Sequence, residues 1–117
     1  MKKILIMDDN SIIRMKLYEI LSGLGFSVDT VKEGKEAIDK YIDAYENNEP
    51  YDKVVIDLVI KDGIDGETTI NLLSDFDKDV NIIVSSGYIN KAFMRKYNFC
   101  EILAKPYKVR YLYNLIK

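Results

Sequence analysis

The chain contains no histidine. That absence excludes a Ser-His-Asp or Cys-His nucleophilic site, an imidazole-ligated metal and any phosphohistidine of its own. A single cysteine, Cys100, excludes an internal disulfide and Cys-rich zinc spacing, and suits a reducing compartment. No stretch approaches the roughly 18 apolar residues that a membrane span requires. The opening "MKKILIM" has basic and then apolar residues, but Asp8 and Asp9 end it too early for a secretory signal. The expectation is a cytoplasmic protein with no membrane segment. A net charge of −2 also argues against direct nucleic-acid binding.

What is present fits one ordinary globular domain spanning residues 1–117, with 48% apolar and 31% charged residues. The charge is uneven. Residues 1–90 hold ten Lys/Arg against eighteen Asp/Glu, whereas residues 91–117 hold seven against the single acid Glu101. A basic end of this kind steers acidic partners, or is simply a set of solvated helix faces.

Short apolar runs alternate with longer amphipathic stretches. "KILIM" (3–7), "FSVDTV" (26–31), "KVVIDL" (53–58), "NIIVSS" (81–86) and "CEILA" (100–104) read as strands, mostly continuous in Ile, Val and Leu as buried parallel strands are. Helical spacing falls over 11–22, 34–46, 65–74, 89–97 and 107–117. In the first of these Ile13, Leu17, Ile20 and Leu21 share a stripe, Asn10 or Ser11 is the N-cap, and Gly23 and Gly25 close the end. Tyr45 and Leu72 fall on the apolar stripes of the second and third. Strict alternation of strand and helix implies right-handed crossovers, a parallel sheet and helices on both of its faces.

In such a sheet ligands bind at the carboxyl ends of the strands, so the residues closing each strand matter. The first strand closes on Asp8 and Asp9, the third on Asp57, the fourth on Ser85, Ser86 and Gly87, and the fifth on Lys105 and Pro106. Three converging carboxylates resist ionising together, and a hard divalent cation such as Mg²⁺ removes that conflict. Lys105 would pair with the remaining oxygens of an incoming phosphoryl group, Asp57 would serve as carboxylate nucleophile, and Ser86 would donate a hydrogen bond. Each piece alone has a plainer reading: an N-cap, a loop start, a turn, a solvated helix start. Complementary chemistry at four strand ends favours the functional one.

The segments "KKILIMDDNSIIR", "VVIDLVIKDGIDGE", "IIVSSGY" and "ILAKPY" together resemble the receiver domain of two-component response regulators over essentially the whole chain. The resemblance implies a doubly wound, flavodoxin-like (βα)₅ sheet of strand order 2-1-3-4-5. It implies Asp57 as phosphoacceptor, and Asp8, Asp9, Asp57 and the backbone carbonyl of Val59 as Mg²⁺ ligands, with the direct role of the acidic pair falling to Asp9. It likewise makes Ser86 the switch residue, Lys105 the phosphate-contacting lysine, and the Lys105–Pro106 bond cis. Three features differ from the common pattern. Ile102 stands where many receivers carry a switch aromatic, Lys61 stands where many carry proline, and the short interval from Ser86 to Lys105 implies a trimmed fourth helix.

The expected function is to take a phosphoryl group from a partner's phosphohistidine, on a sensor histidine kinase or a histidine phosphotransfer protein. Phosphorylation would reshape the surface of helix 4, strand 5 and helix 5 for a downstream protein effector, or for a phosphorylation-dependent homodimer. Such a domain catalyses only its own phosphorylation and autodephosphorylation. "SSGY" and "LAKPY" are similar to receivers attached to hybrid histidine kinases, whereas Met1 just before the first strand suits a freestanding regulator. Two alternatives remain: a pseudo-receiver that binds proteins without being phosphorylated, and a small phosphohydrolase or flavodoxin-like binder. The latter lacks a second acid shortly after Asp57, a cap over the site and a glycine-rich phosphate loop, Gly23-Leu24-Gly25 being only a fragment of one.

Overall fold

The apolar runs become strands because both of their faces are covered. In the computed structural model, which describes residues 1–117, the order is β1 (Lys3–Met7), α1 (Ser11–Gly23), β2 (Ser27–Val31), α2 (Gly34–Glu46), β3 (Lys53–Asp57), α3 (Gly66–Phe76), β4 (Ile82–Ser86), α4 (Lys91–Lys96), β5 (Glu101–Ala104) and α5 (Val109–Ile116). All neighbouring strands pair in parallel, in the order β2-β1-β3-β4-β5. This is the α/β, doubly wound arrangement expected from the alternation of elements.

Alternation along each strand divides the interior in two. Ile4 and Ile6 of β1, Val55 of β3 and Ile83 of β4 face Leu17 and Leu21 of α1 and Leu112 and Ile116 of α5. Leu5, Met7, Val54, Ile56, Ile82 and Val84 face Ala37 and Tyr41 of α2, and Ile70 and Leu73 of α3. The last four residues of β1, Ile4 to Met7, are each no more than 1% exposed. Side chains buried so fully contribute about 1.5–3 kcal/mol apiece.

Side-chain caps fix where helices begin. The Asn10 side chain accepts from the Ile12 and Ile13 amides at 2.9 and 3.1 Å, so Asn10 rather than Ser11 is the α1 cap. Asp65 caps α3 through Thr68, and Asn90 caps α4 through Phe93. The chain leaves α1 through Leu24 and turns at Gly25, whose φ of +99° disfavours a side chain. Helix α4 is indeed short, six residues. Lys105–Pro106 is cis.

Three residues assigned to apolar stripes lie mainly outside. Ile20, Tyr45 and Leu72 are exposed. Ile20 sits at the margin of a stripe whose centre is Leu17 and Leu21, and Leu72 is turned outward beside the buried Ile70 and Leu73. Tyr45 packs edge-on against Phe76 at 5.2 Å instead of entering the sheet core.

Candidate functional site

The strand ends open on one rim, and register decides which residues stand level. Asp57 pairs with Ser85, and Ser86 with Ala104. Beyond the strands the ladder continues from the Asp8 amide to the Val31 carbonyl and from the Lys105 amide to the Ser86 carbonyl. By the same alternation Asp8 follows the face of Ile6 and Asp57 that of Val55, both toward the α1 and α5 layer. Asp9 must point the other way. The adjacent carboxylates are therefore engaged by different partners.

The Lys105 Nζ lies 3.1 Å from Asp57 Oδ2 and 3.3 Å from Asp8 Oδ2, bridging the two. Asp57 Oδ1 accepts from the Val59 amide at 3.1 Å, and Asp8 Oδ1 from the Asn10 amide at 2.9 Å. Asp9 Oδ2 instead accepts from the Lys61 amide at 3.0 Å, in the β3–α3 loop. One oxygen from each of Asp8, Asp9 and Asp57 lies within 4.8 Å of the others. Three carboxylates with one ammonium leave an excess of two negative charges around an all-oxygen donor set, the chemistry a hard divalent cation fits.

Asp57 and Asp8 are both buried. Burial pushes the Asp57 carboxyl above its ordinary range; the Val59 amide and the Lys105 ammonium pull it down without cancelling the rise, and the charge of Asp8 adds to it. For Lys105 burial acts downward, but the bond to Asp57 and the charges of Asp57 and Asp8 outweigh it, so its pKa moves up. The ammonium is thus held in its charged form.

Asp8, Asp9, Asp57, Val59, Ser86 and Lys105 all line one open cleft of about 300 Å³. The structure brings these sequence-selected residues together, yet Ser86 does not engage the carboxylates. Its hydroxyl donates to the Tyr88 carbonyl at 3.1 Å and accepts from the Tyr88 amide at 3.3 Å. Ser85 lies inside β4, buried, with its Oγ unpartnered; the Tyr107 hydroxyl stands near it without closing a hydrogen bond. Tyr88 is among the most exposed side chains of the rim, at 79%.

Two contributors escaped the sequence reading. Arg14 donates from Nη1 to the Asp8 carbonyl at 2.8 Å, tying the first turn of α1 to the end of β1. Its position four residues after the cap Asn10 is the only sequence hint of that contact. The only sequence hint of the Lys61 amide on Asp9 is that Lys61 stands where the resemblance would allow proline, which has no N–H to donate.

A family model for the response regulator receiver domain matches residues 4–117. No curated protein matches the chain. Among solved structures, a chain of the CheX–CheY–BeF₃–Mg²⁺ complex from Borrelia burgdorferi is similar with a TM-score of 0.85 and 26% identity, over 97% of this chain and 84% of that one. The response regulator TrrA of Thermotoga maritima in complex with Mg²⁺ and BeF is similar with a TM-score of 0.81 and 28% identity, over 99% and 96% of the two chains. A chain from the complex of the histidine kinase ThkA with TrrA gives a TM-score of 0.83 and 28% identity, again over 99% and 96%.

Proposed function

The chain belongs to the response regulator receiver domain family, and from that premise we propose that it is the phosphoacceptor of a two-component phosphorelay, with Asp57 as the residue modified. The observation that carries the reading is the buried Asp57 carboxylate, 3.1 Å from the Lys105 ammonium and grouped with oxygens of Asp8 and Asp9. With no histidine of its own, the chain takes its phosphoryl group from another domain or chain, a histidine kinase or a histidine phosphotransfer protein. The similar chain from the ThkA–TrrA complex supports a kinase as partner.

An Asp57 carboxylate oxygen forms the new O–P bond as the N–P bond of the donor phosphohistidine breaks, its electron pair remaining on the imidazole nitrogen. Lys105, already at Asp57, pairs with a phosphoryl oxygen. The Ser86 hydroxyl leaves the Tyr88 backbone and donates to another. Asp8, Asp9, Asp57 and the Val59 carbonyl would hold Mg²⁺, which supplies positive charge to offset that of the phosphoryl oxygens. Asp9 accepts only the Lys61 amide, which supports its direct role. The similar structures that contain Mg²⁺ with BeF₃ or BeF support Mg²⁺ as the cation.

The domain acts in the cytoplasm, catalyses only its own phosphorylation and dephosphorylation, and signals through protein contact on the α4–β5–α5 surface, to an effector or to a second copy. The test is intact mass after incubation with acetyl phosphate and Mg²⁺. One added phosphoryl group, absent in Asp57→Ala and without Mg²⁺, is the expected result. An unmodified wild type would instead assign the chain to the pseudo-receivers.

A further inference from the structure

Resting on that reading, we infer that Glu33 is a positioning residue for the cation, clamping the β3–α3 loop that carries Val59 and the Lys61 amide. Glu33 is the N-cap of α2, a place usually taken by Ser, Thr, Asp or Asn because their short side chains reach the helix amides. Glutamate has one methylene more than aspartate, and both of its oxygens are used. Oε1 accepts from the Glu36 amide at 3.1 Å, while Oε2 accepts from the Lys35 amide at 3.1 Å and from the Ile64 amide at 2.9 Å. The Gly34 amide then donates to the Ile64 carbonyl at 2.9 Å. Both backbone groups of Ile64 are therefore held against the start of α2.

The fit is close on both sides. Gly63 has φ +105°, and a Cβ there would fall on the Glu33 carboxylate. A Cβ on Gly34 would run into Ile64 and Thr69. The two glycines let loop and helix approach until the carboxylate bridges them. Both helix-start amides and the Ile64 amide favour the ionised form, and the carboxyl of Glu33 is accordingly lowered from its ordinary value, the Ile64 bond being the largest cause.

The consequence lies three to five residues upstream of Ile64. Between β3 and α3 the backbone is fixed by side chains at Val59, Lys61 and Ile64, through Asp57, Asp9 and Glu33 respectively. The first two anchors are themselves carboxylates of the proposed cation set, so a cation would compete with the Val59 and Lys61 amides for their oxygens. Glu33 lies outside that set, as does the Thr69 hydroxyl, which holds the Asp65 carbonyl at the start of α3. Glu33 holds the loop at Ile64, which would keep the Val59 carbonyl and the Lys61 amide in place for a cation to bind.

The test uses the full chain. Mg²⁺ affinity is measured by calorimetry in wild type, Glu33→Asp and Glu33→Ala, with exchange of the Ile64 amide proton and the melting temperature followed in the same samples. Aspartate keeps the charge and the α2 cap but is too short to reach Ile64. Glu33→Asp should lose Ile64 protection and bind Mg²⁺ on the order of tenfold more weakly, as loss of a group supporting metal ligands does, while melting near wild type. Glu33→Ala should weaken Mg²⁺ binding as much and also melt lower. Unchanged affinity in both variants would overturn the clamp alone, as would a loss confined to Glu33→Ala that merely tracks its unfolded fraction. No Mg²⁺ binding in wild type would overturn the clamp together with the reading on which it rests.

Discussion

Replacing Lys105 with methionine tests the electrostatic balance of the rim most directly. The side chain keeps much of its volume and loses its charge, leaving Asp8, Asp9 and Asp57 with no ammonium among them. The side chains of Asp8 and Asp57 are 7% and 10% exposed and that of Lys105 26%. At an effective dielectric of ~20, each contact of 3.1–3.3 Å carries about 5 kcal/mol of gross attraction, most of it cancelled by desolvation. Removing one partner of a fully buried pair costs about 3–5 kcal/mol. Lys105 is partly solvated, and Asp57 relieves some of the strain by taking a proton, so about 2 kcal/mol is the working figure. For a chain of 117 residues that corresponds to a melting temperature about 8 °C lower. The lowering should be largest without metal. Because the variant's carboxylates present a more negative potential, Mg²⁺ should bind it more tightly than wild type and raise its melting temperature further. Thermal unfolding in EDTA and in millimolar Mg²⁺ gives both shifts. An equal deficit in the two buffers would refute the view that lysine and cation neutralise the same charges.

Further expectations are simpler. The raised pKa of Asp57 means that the folded state binds its proton more tightly than the unfolded chain, so the contribution of Asp57 to metal-free stability falls as pH rises from the ordinary carboxylate value, 3.8, to the raised one; urea titrations in EDTA should show wild type losing stability relative to Asp57→Asn across that window, and parallel curves would refute it. Gly66→Ala would set a Cβ 2.5 Å from the Asp57 carbonyl oxygen and the Leu58 Cα, both backbone, and should cost about 3 kcal/mol in urea unfolding while disturbing Asp57. Tyr41→Phe removes a 2.6 Å hydrogen bond to Asp77, remote from the rim; it should cost about 1.5–2 kcal/mol in the same assay and leave phosphorylation by acetyl phosphate unchanged.

The fold was legible because the strands announce themselves by composition. Runs such as "KILIM" and "KVVID" admit few readings once helices separate them, and Asp8, Asp57, Ser86 and Lys105 could be placed on one rim from strand ends alone. Helix margins were less legible. Ile20 and Leu72 have the right residue type at nearly the right spacing, and only packing decides that Leu17, Leu21, Ile70 and Leu73 fill the available space. Backbone donors were hardly legible. The Val59 and Lys61 amides that hold Asp57 and Asp9 belong to residues whose side chains say nothing about them. Glu33 shows the same limit: nothing about a glutamate ahead of a glycine points to the Ile64 amide, 31 residues away, that it holds.

Ser86 shows how the proposed reaction would leave the rim. Its hydroxyl makes both of its hydrogen bonds with the backbone of Tyr88, so it cannot turn toward Asp57 without releasing that turn. Two neutral hydrogen bonds are together worth about 1–3 kcal/mol net, and a bond from the hydroxyl to a charged phosphoryl oxygen is worth about 1.5–3 kcal/mol. The exchange is close to balanced, which suits a switch that must run both ways. The freed segment leads through Asn90, the cap of α4, into a helix of only six residues with no buried side chain. Its hold on the rest of the molecule is Phe93, half-buried against the core and Tyr97, and the Lys96–Glu67 pair. With Ile102 in place of a switch aromatic, the proposed phosphorylation of Asp57 would reach the basic surface around Lys91, Arg95 and Lys96 through this turn and short helix.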